Sequence, residues 1–509
     1  MSQIDQDERN SRQLILWGPH GQVAVTNSRI FVLGSDCVAT EFLKNIVLHG
    51  FGYVTVIDDA IVSDDDLRTN FFVDAEHKGK SRAETVAELL QELNLDSRVT
   101  GLNRSPFDLS FISEDPKPNF VVTCGNLKPS FLEELSKVCR ANKVHQAHIQ
   151  TVGFFGSFYI DAGLHEIYEG SNTAKYPLEE LRVPNPFPEL LEFINSFDFE
   201  NCSDKEHSHI PSVAVFYKAR EAAAKELGVT VDKLSSDQIL SQIKKMRRVC
   251  IVNNELIAEI GFSEAEEKIY NYMYPRVPSA TREVFSLSDK IGEVDEPFWH
   301  LVRATQRFYN TNKVLPHYGG CPDLDTSTEN FIKIKKIYEE KGEKDWQQVR
   351  NDLNEKGVTI DDSTFKRFSQ NVWRIGAVNY QTIPELIELK PSPMFENDPK
   401  DKNISIIQCI FIAFRKFFEK NGRQPQNTQE DRDSLFAEVK ELGVSLDDEQ
   451  VKKYIQEFSR AKNNLIPSVA ATFAAILAEE VTKIAIKQAC PVKGVFLYDS
   501  MANYAQARW

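Results

Sequence analysis

The sequence predicts an α/β fold: a Rossmann-like domain with a mostly parallel sheet, interrupted by a long, mainly helical insertion. Three observations carry this. Short β-branched and aromatic runs alternate with helix-forming segments through the first third of the chain. A turn glycine, Gly34, directly follows the first of these runs. An alanine-rich helical stretch and one more strand-like run close the chain.

The runs Arg29–Leu33 (RIFVL), Tyr53–Ile57 (YVTVI) and 120–123 (FVVT) read as strands. Residues 40–48 form a helix between the first two. Residues 80–93 follow the second, with Ala83, Val86, Ala87, Leu90 and Leu93 at helical spacing. Residues 146–149 and 156–160 are further strands. From 164 to 462 the chain is charged, helix-rich and broken by proline clusters such as 183–188 (VPNPFP), with helices expected over 221–227, 235–246 and 408–420. Residues 467–487 then form an amphipathic helix with Pro467 near its start, and 494–499 (GVFLYD) a strand. The expected division is 1–163 for the first part of the α/β domain, 164–463 for the insertion and 464–509 for the return.

The chain has 509 residues, enough for two or three domains. A formal net charge of -15 argues against nucleic acid as a main partner, because phosphate binding needs concentrated Lys and Arg. The eight cysteines are scattered and none forms a C-x-x-C pair, so neither a zinc ribbon nor any other metal site is expected, and the thiols read as reduced. Residues 1–10 are polar and acidic, unlike a signal or transit peptide. No apolar run reaches the roughly 18 residues that span a bilayer. The expected location is cytoplasm or nucleus, without a membrane partner.

A nucleotide site would place G-x-G-x-x-G after the first strand, so that backbone N–H groups could approach phosphates at the helix N-terminus. Here the loop reads Gly34-Ser35-Asp36-Cys37-Val38-Ala39. Only the first glycine remains; Asp36 and Ala39 hold the other two positions. Two unit charges about 4 Å apart repel by roughly 4 kcal/mol at an effective dielectric of 20, so Asp36 alone opposes a bound phosphate. Asp58 closes the second strand, where a ribose-binding carboxylate could lie, although acidic residues at strand ends are common. These features describe a nucleotide-binding fold that has lost its nucleotide.

At these residues a resemblance emerges. Ser11-Arg12-Gln13-Leu14-Ile15-Leu16-Trp17-Gly18 resembles the Y-D-R-Q-x-R-L-W-G opening of the ubiquitin-activating enzyme family, with Ser11 in place of the usual acidic residue and Ile15 in place of the second arginine. Residues 41–52, 54–58, 70–72, 79–84 and 89–94 continue the match. The family's adenylation domains are ThiF/MoeB-like and work in pairs. In the middle, His207-Ser208-His209-Ile210-Pro211, Leu315-Pro316, Pro322-Asp323 and the 331–338 helix resemble the regulatory-subunit branch of the heterodimeric neddylation-activating enzymes.

The resemblance implies a chain with no catalytic residue of its own. Its obligate partner would be a catalytic subunit that binds ATP and Mg and activates a ubiquitin-like protein. Catalytic members have an aspartate in C-G-L-D; here Cys124-Gly125-Asn126-Leu127 puts Leu127 there. Their paired zinc cysteines and thioester cysteine have no counterpart. Cys202 lies in an acidic setting, and Cys250, flanked by Val249, Ile251 and Val252, reads as a buried structural thiol. The resemblance assigns Arg12 a contact in trans with the partner's nucleotide, which suits a guanidinium that forks onto phosphate. It assigns His209, Asp323, Phe331, Lys333 and Lys336 to the partner interface. Read without it, Arg12 is a surface charge, His209 a capping residue and 331–336 a solvated helix face. A self-sufficient adenylating or NAD-dependent enzyme, and a pure interaction scaffold, stand as alternatives.

Overall fold

The computed structural model describes residues 11–170, 181–274, 277–292, 294–395, 398–461 and 465–509. They form two compact units, Met1–His165 with Val378–Trp509, and Glu166–Ala377.

The first unit is built on an eight-stranded sheet. Its strands are β1 (Arg29–Leu33), β2 (Tyr53–Ile57), β3 (Arg98–Leu102), β4 (Phe120–Cys124), β5 (His145–Val152), β6 (Phe155–Asp161), β7 (Val495–Asp499) and β8 (Tyr504–Arg508). The order is β8-β7-β6-β5-β4-β1-β2-β3. The pairs from β5 through β3 are parallel. The pairs β5–β6, β6–β7 and β7–β8 are antiparallel. β1, β2 and β4 are mostly buried on both faces, as near-continuous apolar runs require. The helices Cys37–Leu48 and Pro467–Ile486 pack on each other. The second of these ends where Lys487 turns left-handed.

The second unit collects its apolar residues around Val213, Phe216, Phe262, Ile334 and Tyr338. The long helix Thr328–Glu355 threads it. Arg182 anchors that helix by a buried ion pair of 2.6 Å with Asp345, while also donating to the Leu315 carbonyl at 2.9 Å.

The parallel sheet, the helical insertion and the terminal return agree with expectation. The end of the insertion does not. Residues 378–461 belong with the sheet, and the expected boundary at 463–464 lies outside the described residues. The reason is packing. Helix Pro399–Asn421 has a mainly apolar middle whose Ile404, Ile407, Phe411 and Phe414 join one cluster with Val152, Phe155, Tyr159, Val495 and Leu497 of the strands. Polar contacts reinforce it: Arg415 donates to the Tyr159 hydroxyl at 3.0 Å, and buried Arg508 donates to Ser405 Oγ at 2.7 Å. β3 and β8 are strands that the apolar pattern did not announce.

Candidate functional site

Strand order reverses between β1 and β4, and in open α/β sheets ligands bind at the carboxyl ends of strands beside such a switch point. The loop after β1 lies there. Gly34 turns it with φ +102°, a backbone conformation that a side chain would strain. Asp36 is the N-cap of helix Cys37–Leu48, and its Oδ1 accepts the Ala39 N–H at 3.0 Å. A carboxylate therefore sits at the positive end of the helix, where a phosphate would sit. Burial pushes the Asp36 carboxyl above its usual range, against the pull of the Ala39 N–H and of Arg82. Its Oδ2 lies 3.3 Å from where a Cβ on Gly125 would stand, so the side chain also leans across the end of β4. Gly34, Asp36 and Ala39 thus form one closed cap. Asp36→Ala is expected to cost about 1 kcal/mol in urea unfolding, and Asp36→Asn less, since the amide oxygen still caps.

Asp58 is equally committed. It is buried, accepts from Ser35 Oγ at 2.5 Å and from Arg82 Nη2 at 2.7 Å, and takes the Ala60 N–H at 3.0 Å. Arg82 also reaches buried Asp66 at 2.8 Å. Burial raises the Asp58 carboxyl, but Arg82 and Ser35 together bring it below its usual range. A ribose would have to displace this network. Ser35, Asp66 and Arg82 were not singled out in the sequence; Arg82 appeared only within the family-like segment 79–84.

Arg12 lies on another element, the helical segment Ser11–Asn27, which breaks at Gly18 with φ +67°. Gln13 donates to the Leu48 and His49 carbonyls at 3.4 and 3.3 Å. Trp17 packs edge-on against His49, and its carbonyl accepts from Gln488 at 3.0 Å. Gly21 must be small, because a Cβ there would meet the Trp17 side chain at 2.8 Å. With Gln13 and Trp17 turned inward, Arg12 is exposed beside Ile15 and Leu16, which are 84% and 74% exposed.

Leu127 packs against the apolar cluster of the first unit, a role an aspartate could not fill. All eight cysteines are reduced thiols. Burial raises the thiols of both Cys202 and Cys250, the opposite of what a thioester nucleophile needs. In the second unit His209 caps helix Asp204–Ser208, with its Nδ1 2.8 Å from the Lys205 carbonyl. Its own carbonyl accepts from Thr326 and Asn330. Phe331 packs on the unit's core. Lys333 pairs with Glu329 at 2.7 Å and Lys336 with Glu340 at 3.8 Å, both on the exposed helix face, and Asp323 is exposed. Among the described residues no helix is long and apolar enough to cross a membrane.

Relatives of this chain extend over nearly its full length. A NEDD8-activating enzyme E1 regulatory subunit of Xenopus laevis is 28% identical, covering 97% of each chain. The Arabidopsis thaliana regulatory subunit AXR1 is 27% identical over 99% of this chain and 96% of its own. The Saccharomyces cerevisiae regulatory subunit is 24% identical over 97% of this chain and 98% of its own. The ThiF family profile matches residues 10–508. A Rossmann-like sheet with its phosphate loop at the switch point, matched from end to end, places the chain in the ThiF family.

Proposed function

We propose that this chain is the regulatory half of a heterodimeric, ATP-dependent activating enzyme for a Nedd-type ubiquitin-like protein, working in the cytoplasm or nucleus. The observation that carries the reading is the Asp36 cap: within a ThiF fold, the helix N-terminus that should receive phosphate is held by the chain's own carboxylate. The second nucleotide contact, Asp58, is held by Arg82. ATP and Mg then belong to the catalytic partner, which adenylates the ubiquitin-like protein and carries it as a thioester. Relatives named as regulatory subunits support this division of labour.

This chain supplies shape and one charge. Exposed Ile15 and Leu16 favour a protein partner over water on the face that carries Arg12. Arg12 reaches the partner's nucleotide, and exposed Asp323, Lys333 and Lys336 line the partner interface, with His209 and Phe331 fixing their backbone. Two measurements test the proposal. Co-purification from the native cell yields one stoichiometric ThiF-family partner. Calorimetry of the isolated chain with Mg-ATP gives no binding at micromolar concentration. Micromolar binding of ATP by the isolated chain would overturn the proposal in favour of a self-sufficient enzyme.

A further inference from the structure

The second unit holds a cluster of donor atoms that the partner-binding role does not use. His207 lies in the last turn of helix Asp204–Ser208, Cys250 opens the strand Cys250–Val252, and Glu259 caps helix Ile260–Glu267. They come from three elements, 43 and 9 positions apart, and all three are buried. His207 Nδ1 stands 2.9 Å from Glu259 Oε1 and 3.8 Å from Cys250 Sγ. All three donor atoms lie within 4.8 Å of one another.

The pattern of contacts separates two chemistries. In a Cys–His–acid relay, the thiol and the carboxylate address opposite nitrogens of the ring, so that a proton can pass through it. Here both address the same nitrogen, Nδ1. Three donors converging on one point are the arrangement of a metal centre. The two edges at Nδ1 fit: zinc with bonds of about 2.0 Å to N or O and about 2.3 Å to S, at tetrahedral angles, sets N···O near ~3.3 Å and N···S near ~3.5 Å. One observed edge is slightly shorter and the other slightly longer. The ring is held for the task, since Phe262 stacks on His207 at 5.0 Å and 21°.

Charge also balances. A thiolate and a carboxylate offset a divalent cation. The neighbouring cations are shared with other acids: Arg247 approaches Glu259 at 3.8 Å but pairs more closely with Glu266 at 2.8 Å, and Arg248, which also bonds the Cys250 thiol, approaches Asp204 at 3.7 Å. Glu259 receives the Arg248 N–H at 3.0 Å, which orients the carboxylate as outer partners of metal ligands do.

We propose that His207, Cys250 and Glu259 bind one divalent cation of the zinc type, with the fourth position taken by water. Mixed S, N and O donors favour zinc over magnesium or calcium. The cation ties the β-hairpin Cys250–Val252/Glu255–Ile257 to helix Asp204–Ser208. Binding releases the Cys250 thiol proton to solvent, so affinity rises with pH.

The test uses the purified full-length chain, stripped with a chelator and titrated anaerobically with Co2+. The expected result is one equivalent bound, with a thiolate-to-cobalt charge-transfer band in the near ultraviolet and tetrahedral bands in the visible. Cys250→Ser abolishes the charge-transfer band. Glu259→Gln keeps that band but weakens Co2+ binding by at least ~10-fold, because losing a direct ligand costs no less than losing an outer partner. Cys202→Ser, at a thiol that contacts Arg248 but lies outside the donor set, retains the full spectrum. Circular dichroism of the stripped proteins shows whether each variant is folded. A folded wild-type chain that gives no cobalt–thiolate band overturns the proposal, whatever the variants do. A band that survives in Cys250→Ser also overturns it.

Discussion

Replacing Arg12 by alanine lowers ATP–pyrophosphate exchange by the assembled heterodimer roughly ten- to hundred-fold and leaves the heterodimer intact. The residues around Arg12 explain both halves of that expectation. Gln13 and Trp17 fasten the first helical segment to the end of helix Cys37–Leu48 and to Gln488, so removing the Arg12 side chain removes none of these contacts. The guanidinium itself is exposed, beside two exposed apolar residues. On the proposed reading, pairing with a second ThiF-family domain would carry this segment to the partner's nucleotide. There one charge-assisted contact to phosphate is worth about 1.5–3 kcal/mol, which sets the fold-change. Lysine restores only part of the rate, because it cannot fork onto phosphate. Exchange is measured on the co-expressed complex, with gel filtration as the control for assembly. Wild-type exchange by an intact Arg12→Ala complex would leave this chain contributing shape without chemistry.

How legible such residues are depends on how local their physics is. β1, β2 and β4 stand out because a strand buried on both faces must be apolar throughout, and no partner is needed to recognise it. β3 is an edge strand in which Arg98, Thr100 and Leu102 face solvent, so its sequence carries almost no pattern. In β8 only Arg508 is buried, and it is held by Ser405 and Asp401, more than a hundred positions away. The apolar run in helix Pro399–Asn421 is plain in the sequence, but which core receives it is decided by Val152, Phe155 and Leu497. Composition alone therefore grouped it with the insertion. The site divides the same way. Asp36 opposing phosphate is a local statement. The commitment of Asp58 is not, because Arg82 lies 24 positions away and Ser35 23. Cys250 read correctly as buried, while its two companions are visible only in three dimensions.

The same distant network sets the largest expected loss of stability. Arg82→Met is expected to destabilise the chain by about 3–5 kcal/mol, because it leaves two buried carboxylates, Asp58 and Asp66, without their cation. Methionine preserves most of the side-chain length, so lost packing contributes less than lost charge. The dependence on pH distinguishes the two. In the native chain Asp58 titrates below its usual value of 3.8, so the stability it contributes is fully present above 3.8 and is lost as pH falls through the lower, folded value. Without Arg82, burial is the largest influence left, and it acts in the opposite direction. Opposed only by the Ser35 and Ala60 hydrogen bonds, burial moves the folded pKa of Asp58 up from its native position, and acidification through that range protonates the stranded carboxylate and narrows the difference from wild type. Urea unfolding of wild type and variant between neutral pH and about pH 4 should therefore show a gap that narrows on acidification. A gap that stays constant would assign the loss to packing alone. Asp58→Asn in the Arg82→Met background should recover part of the loss at neutral pH, since it removes one of the two stranded charges; the amide oxygen still accepts the Ala60 N–H, and the Ser35 hydroxyl turns to accept from the amide nitrogen.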